Sequence, residues 1–295
     1  MTIFFALVGA AMAGIGASLQ KFGIAARFPR ITLREFTRQW RLVARTLLTN
    51  KVWLLGLLMG ASSGFFMAQA MSGGDLSLVQ ILSNTTGLWS VLIGVVFFTE
   101  KLTGGEWIGL AVMFAGAALV SLTPETTAVG NPNEPLLVGI AAAVGVLMTI
   151  ALVVNKRIRR GLAAEFLLAA NSGLSFGLFN IFMKLTTWQV NAQLGSFNVV
   201  SAASWGQMLS ILPFWVMLAC IVPAFLFMQA AFAHGRVAVI TPLVTVFTTF
   251  ITITCAVIVF HETLSPLRLS GIVASVAGTL VLAQQSRRPA HHLAE

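Results

Sequence analysis

The sequence predicts an all-α membrane protein with nine transmembrane helices, arranged as two inverted four-helix repeats that one further helix joins. Composition, the number of long apolar stretches and one recurring segment predict this fold. Hydrophobic residues fill 57% of the 295 positions and charged residues only 9%, which would leave a soluble domain with too little polar surface. We therefore expect a multi-pass protein of the inner (plasma) membrane.

The individual helices follow from the rule that roughly 20 apolar residues cross a bilayer. The nine spans are about 3–21, 52–71, 76–98, 104–122, 136–154, 163–184, 207–232, 236–260 and 266–284.

The orientation follows from the basic residues, which concentrate on the cytoplasmic side of membrane proteins. If the first loop, 22–51, is cytoplasmic, alternation leaves Arg268 outside, with Lys21 and Lys184 near span ends. The N-terminus is then outside and the C-terminus is cytoplasmic. The basic residues that fall inside are Arg27, Arg30, Arg34, Arg38, Arg41, Arg45, Lys51, Lys101, Lys156, Arg157, Arg159, Arg160, Arg236, Arg287 and Arg288.

The net charge of +9 needs no nucleic-acid partner, because topology accounts for it. Within the first loop, segment 32–48 places apolar and arginine side chains on separate helical stripes. That pattern predicts an amphipathic helix lying on the anionic lipids of the cytoplasmic leaflet. Membrane lipids are thus expected partners, and a homodimer is an open alternative for the assembly.

The recurring segment reads FFTEKLT at 97–103 and VFHETLS at 259–265. A single helix between the two sets of four spans would reverse the direction of the second set, so the repeats are predicted to be inverted. A shift of 162 positions pairs Gly73 with Gly235, Glu100 with Glu262, Gly109 with Gly271 and Gly116 with Gly278, and a shift of 163 pairs Gly14 with Gly177 and Lys21 with Lys184.

This repeat divides the chain into four parts. The first repeat covers 1–122, and a linker with the connecting helix covers 123–162. The second repeat covers 163–285, and 286–295 form a cytoplasmic tail.

Several motifs resemble the drug/metabolite transporter superfamily, also called EamA-like. They are FMAQA at 66–70, FMQAA at 227–231, the Phe-x-Glu corner and the glycine-rich last helix. The nine-helix count, the external N-terminus and GASLQKFG at 16–23 are more similar to the NIPA-type branch, which is described as magnesium transporters. The resemblance implies a transporter with a substrate cavity between its halves near mid-membrane.

Lys21 and Lys184 each end a stripe of small residues, and Asn180 lies on the stripe of Lys184. An amine at a span end can reach the interface at little cost, so anchoring is one interpretation. The other interpretation is that the two ammonium groups attract an anionic part of the substrate at opposite mouths of the cavity.

A threonine stripe in the eighth span contains Thr245 and Thr248, and the matching turns of the third span contain Gln80 and Asn84. Threonine hydroxyls in membrane helices often bond only to carbonyls one turn back. Alternatively these residues line the cavity, with Gln69 and Gln229 completing a ring of neutral oxygens; a buried, unpaired amide is costly, so the amides favour this alternative.

Glu100 and Glu262 lie at segment ends and are predicted to be corner residues, while Thr103 with Glu106 predicts a capping box. No zinc helix motif, phosphate loop or nucleophile triad is present, so we expect neither an enzyme nor a cofactor, and any metal ligands are unknown.

The expected function is alternating-access transport of a small polar or charged organic solute. Two alternatives stay open. One is a transporter of magnesium or another divalent cation, although no Asp or Glu lies near the middle of a span. The other is a lipid-headgroup translocase or a membrane protein that transports nothing.

Overall fold

The computed structural model describes residues 1–25, 45–98, 103–123, 131–157, 162–234 and 237–285. These residues form eleven α-helices and contain no β-strand, which confirms the all-helical prediction for this part of the chain. Most of the predicted amphipathic helix 32–48, the residue Glu100 and the tail 286–295 lie outside the described residues.

The helices are numbered here in chain order. They are α1 (Thr2–Ala25), α2 (Lys51–Gly73), α3 (Leu76–Asn84), α4 (Thr86–Phe98), α5 (Gly104–Ser121), α6 (Glu134–Arg157), α7 (Leu162–Leu194), α8 (Ala202–Ser210), α9 (Leu212–His234), α10 (Val237–Ile258) and α11 (Pro266–Gln285).

Seven of these helices are long and apolar enough to cross a membrane, namely α1, α2, α5, α6, α7, α9 and α10. The apolar part of α11, Pro266–Leu282, is shorter. The chain is therefore a multi-pass membrane protein. The helix predicted over 76–98 is instead two helices, α3 and α4, which meet at Thr85.

The break between α3 and α4 has a local cause. The Thr85 hydroxyl donates to the Leu82 carbonyl and the Thr86 hydroxyl donates to the Ser83 carbonyl, both at 2.6 Å. Such hydroxyls compete with backbone N–H groups for helix carbonyls, which favours a bend.

The segment 185–206 also differs from its predicted loop. Helix α7 continues to Leu194, a turn follows, and α8 begins at Ala202. Gly195 has a φ of 77°, a left-handed conformation that glycine adopts readily, so α7 ends there.

The helices pack in two groups. Helix α1 packs against α2 and α4, whereas α7 packs against α9 and α10. Helix α3 also contacts α1, and α11 also contacts α10. The two groups meet where α3 contacts α10, where α2 contacts α7 and where α5 contacts α11. Helix α6 packs mainly against α7 and exposes much of its apolar surface, as expected for a helix that faces lipid.

Candidate functional site

A buried network of uncharged polar side chains lies where α3, α7 and α10 meet. Its members are Gln80 and Asn84 on α3, Asn180 on α7 and Thr249 on α10, and we call it the amide network. Helices α7 and α10 belong to one packing group, so the network joins that group to α3.

Gln80 is the centre of the amide network. Its Nε2 donates to Asn84 Oδ1 at 3.0 Å and to Thr249 Oγ1 at 3.4 Å, and its Oε1 accepts from Asn180 Nδ2 at 2.9 Å. The Thr249 hydroxyl donates to Asn84 Oδ1 at 3.1 Å. The side-chain oxygens of Gln80 and Asn84 therefore already accept hydrogen bonds within the network.

The network still has one unused donor. Asn84 is 5% exposed, and its Nδ2 finds no partner among the described residues. A buried amide N–H without an acceptor costs free energy that a bound oxygen would recover. Asn180 is only half-buried, so the network reaches a less enclosed region on the α7 side.

The predicted threonine stripe is divided between other contacts. Thr245 donates to the Thr241 carbonyl of its own helix at 3.0 Å, and Thr248 donates across to the Gly173 carbonyl of α7 at 2.9 Å. Neither hydroxyl joins the amide network. Thr249, which the stripe did not include, takes that place because α10 turns the neighbouring face toward α3.

The two glutamines proposed to complete the ring lie elsewhere. Gln69 holds the α7–α8 turn, since its Oε1 accepts from Val199 N at 3.0 Å and its Nε2 donates to Phe197 O at 3.3 Å. Gln229 donates to Gln20 Oε1 at 3.4 Å, and the pair links α9 to α1. Gln229 Oε1 is buried with no partner among the described residues.

Lys184 binds the end of α2. Its Nζ donates to the carbonyls of Met71 at 2.8 Å and Gly74 at 2.6 Å, which a helix C-terminus favours for a cation. Lys21 lies on α1, but its side chain falls outside the described part of the structure. The lysine contacts thus favour the structural interpretation at Lys184.

A second buried group, which the sequence analysis did not identify, consists of Asp75, Glu262 and Arg268; we call it the charged cluster. Arg268 Nη1 lies 2.6 Å from Asp75 Oδ2, and the two side chains are 1% and 7% exposed. The same guanidinium donates to Ser77 Oγ at 3.3 Å and to Thr123 Oγ1 at 3.0 Å.

Glu262 caps α3 from outside that helix. Its carboxylate accepts from the N–H groups of Leu76 at 2.5 Å and Ser77 at 3.0 Å. Asp75 is the N-cap residue by position, but its carboxylate lies on Arg268 and makes no cap bond. Burial raises the pKa of Glu262, the hydrogen bonds from Ser77 lower it, and nearby Asp75 raises it further.

The turn after α10 places Glu262 at this position. His261 has a φ of 56°, a left-handed conformation, and Glu262 N donates back to the Ala256 carbonyl at 2.9 Å, so the chain turns over the end of α10. The residues that follow start α11, where Arg268 N donates to Ser265 Oγ at 3.1 Å.

Thr103 and Glu106 form the predicted capping box at the start of α5, which is confirmed.

A metal site is not evident in the part of the chain that the structure describes, because no three His, Cys, Asp or Glu side chains gather there. The amide network offers oxygens that already accept hydrogen bonds, and it contains no carboxylate. Both properties are poor for a divalent cation, which prefers carboxylate oxygens.

Two curated bacterial proteins resemble parts of this chain. The chain is 32% identical over 86 residues to "Uncharacterized transporter YwfM" of Bacillus subtilis, which covers 29% of this chain and 28% of that protein. It is 35% identical over 113 residues to "Putative sugar uptake protein" of Lactiplantibacillus plantarum, which covers 35% of this chain and 38% of that protein. The chain thus matches well under half the length of each relative.

No family model matches the chain, and no solved structure matches it significantly. The two relatives and the multi-span helical fold together support a membrane transporter.

Proposed function

We propose that this protein is a secondary transporter of the drug/metabolite superfamily, which moves a small, polar organic solute across the inner membrane by alternating access. The observation that carries the proposal is the buried amide network between α3, α7 and α10. Burying the uncharged polar side chains of Gln80, Asn84 and Thr249 in a membrane protein is costly unless they serve packing or binding. The unpaired Nδ2 of Asn84 favours binding.

The chemistry of the amide network favours a neutral solute that makes hydrogen bonds. Its members are two amides of α3, one amide of α7 and one hydroxyl, and none of them carries a charge. The unused Asn84 donor suits a hydroxyl or carbonyl oxygen. A sugar or another polyhydroxyl compound has that chemistry, and one partial relative carries the name of a sugar uptake protein.

The inverted repeat is part of the proposal, and matching glycine contacts support it. A Cβ on Gly14 would lie 2.5 Å from the Thr86 carbonyl and 2.7 Å from Trp89 Cβ. A Cβ on Gly177 would lie 3.3 Å from the Thr248 carbonyl and 2.0 Å from Ile251 Cγ2. Because shifts of 162 or 163 positions convert the first set into the second, α1 meets α4 as α7 meets α10.

The pair α5 and α11 supports the same relation. A Cβ on Gly109 would lie 3.0 Å from the Gly278 carbonyl, and one on Gly116 would lie 2.6 Å from the Gly271 carbonyl. The shift of 162 exchanges these two contacts. The helices run antiparallel through the crossing, as a two-fold axis in the membrane plane requires.

Nine spans follow if α11 crosses the membrane and if α3 and α4 together make one crossing. Helix α8 is then a short helix at the outer surface. The N-terminus, the α7–α8 turn and the charged cluster lie outside under this proposal, and the start of α5 lies inside.

Uptake into liposomes by the purified protein tests the function. The panel contains monosaccharides, polyols, amino acids, choline-like amines, organic anions and Mg²⁺. Uptake of an uncharged solute without Mg²⁺ uptake is expected, and the reverse result would favour the magnesium transporter of the NIPA-type branch.

Matched threonine variants test the site. Thr249→Val and Asn84→Leu should each weaken apparent affinity by roughly 1 kcal/mol or more, or about fivefold, because each removes a polar group that holds the network or the solute. Thr245→Val is the control, since its hydroxyl bonds only to its own helix. Equal effects of Thr245→Val and Thr249→Val at equal expression would argue against the amide network as the site.

A further inference from the structure

The charged cluster joins the two proposed repeats at one end of the bundle. Asp75 and Ser77 come from the first repeat and Thr123 begins the linker that follows it, and all three contact Arg268 of the second repeat. Glu262 of the second repeat caps α3 of the first. Any motion that opens the bundle at this end must separate these groups.

The contacts of the charged cluster are charge-assisted hydrogen bonds. A charge-assisted hydrogen bond is about twice as strong as a neutral one, and both members of the Asp75–Arg268 pair are nearly removed from water. Separation would also leave the N–H groups of Leu76 and Ser77 without their acceptor.

Further side chains cross between the repeats at the same end. Lys184 donates to the carbonyls of Met71 and Gly74, and Asn191 donates to the Ser72 carbonyl at 2.8 Å. These contacts hold the end of α2 against α7. They add to the closure made by the charged cluster.

The Asp75–Arg268 pair is not repeated at the matching positions of the opposite end. Under the shift of 162, Arg268 corresponds to Glu106 and Asp75 corresponds to Val237, so the ion pair has no counterpart there. The Glu106 carboxylate accepts from Thr103 N at 2.7 Å in the capping box of α5. Toward that end Gln229 donates to Gln20 Oε1 at 3.4 Å across the two repeats.

We propose that the charged cluster is a latch that holds the outer end of the transporter closed in the resting protein. The proposal rests on the alternating access proposed above. It assigns Asp75, Glu262 and Arg268 to the control of access and not to solute binding.

A buried reporter cysteine tests the latch. Thr252 is fully buried one turn beyond Thr249 toward the outer end, and its hydroxyl has no partner among the described residues, so Thr252→Cys replaces it with little disturbance. The background carries Cys220→Ala and Cys255→Ala, which removes both native cysteines. A membrane-impermeant maleimide is added outside, and the labelling rate is measured without any solute.

Asp75→Asn and Arg268→Met should each raise the labelling rate at least tenfold. Arg268→Lys keeps the charge but loses the planar fork, so its rate should lie between those of Arg268 and Arg268→Met. The control is Glu134→Gln, which removes a charge at the outer end whose carboxylate is exposed and bonded to Gln189. Glu134→Gln should label as slowly as the parent.

Unchanged labelling in Asp75→Asn and Arg268→Lys would overturn the latch, and so would an equal rise in Glu134→Gln. If Arg268→Met fails to reach the membrane, these variants still decide the question. Because labelling needs no solute, a failed uptake screen would refute the proposed function alone. Normal uptake with unchanged labelling would refute the latch alone.

Discussion

Asp75 and Arg268 differ from the surface charges of this chain because the pair is almost fully removed from water. Exposed ion pairs contribute about 0–1 kcal/mol, whereas removing one partner of a buried pair costs about 3–5 kcal/mol. Arg268 also satisfies Ser77 and Thr123. Neutralising either member therefore leaves a charge that is more stable in water than in the closed cluster, which is why such variants should open it.

Glu262 makes the latch sensitive to pH, and the sign follows from linkage. In the closed form burial raises the pKa of Glu262, and nearby Asp75 raises it too, whereas the hydrogen bonds from Ser77 and Leu76 lower it by less. In an open form the carboxyl group would have its ordinary pKa. The closed form then binds protons more tightly, so acidification should favour closure.

The measurement uses the Thr252→Cys reporter with Arg268→Lys, because that latch is expected to be partly open and keeps Asp75 near Glu262. Its labelling rate, divided by that of the exposed Ser196→Cys, should fall as the pH decreases from about 7.5 to about 5.5. Adding Glu262→Gln should remove this dependence. A ratio that rises on acidification would contradict the assigned sign.

At the level of single residues, the sequence located the amides better than the threonine. Gln80 and Asn84 were selected because an amide in a span needs partners, and Asn180 because it shares a helical stripe with Lys184. The structure brings the three together. Thr249 was missed because steps of four and three from Thr241 lead to Thr245 and Thr248 instead. Periodicity identifies a polar stripe on a helix. Which face of that helix contacts a given neighbour depends on how the two helices pack, and here Thr248 meets α7 whereas Thr249 meets α3.

Arg268 was missed for a related reason. From the sequence it is a basic residue near a predicted span end, and such residues usually reach water. Its burial depends on three residues that are distant in sequence, namely Asp75, Ser77 and Thr123. Local pattern contains no signal for such a contact between repeats.

At the level of helices, hydropathy predicted the existence of the long helices but not the break at Thr85. The average hydropathy of 76–98 is that of one span, whereas the break depends on hydroxyl bonds to the Leu82 and Ser83 carbonyls. Polar residues at 83–86 are a signal for such a bend, although isolated hydroxyls are common in unbroken membrane helices.

The crossing of α5 and α11 provides a test of packing. A Cβ on Gly116 would lie 2.5 Å from Ser275 N and 2.6 Å from the Gly271 carbonyl, so the helix backbones must separate to admit a side chain. Gly116→Val should destabilise the protein by about 1–3 kcal/mol or more. The loss is measured as a lower midpoint of thermal unfolding in detergent.

Gly139→Val on α6 is the matched control, because a Cβ there meets no atom within 4 Å. Both substitutions add the same side chain to a membrane helix, and they differ in the space available. Equal stability of the two variants would show that α5 and α11 do not approach closely in the protein.

For the whole molecule, composition was sufficient to predict a multi-pass helical protein, because 57% hydrophobic residues allow few other solutions. The relation between the halves needs more, since weak internal similarity is compatible with parallel or inverted repeats. The contacts of Gly14 and Gly177 favour equivalent halves, and the antiparallel crossing of α5 with α11 favours inversion.

The direction of the repeats can be decided by labelling from one side. Gly104 at the start of α5 and Thr263 just before α11 occupy matching corners, and both are exposed. Inverted repeats place these corners on opposite sides of the membrane, whereas parallel repeats place them on the same side.

With both native cysteines replaced, Thr263→Cys should react with an impermeant maleimide added outside, as should Ser196→Cys in the α7–α8 turn. Gly104→Cys should react only after the membrane is permeabilised. Labelling of Gly104→Cys and Thr263→Cys from the same side would exclude the inverted arrangement, and with it the alternating access that depends on exchange between the halves.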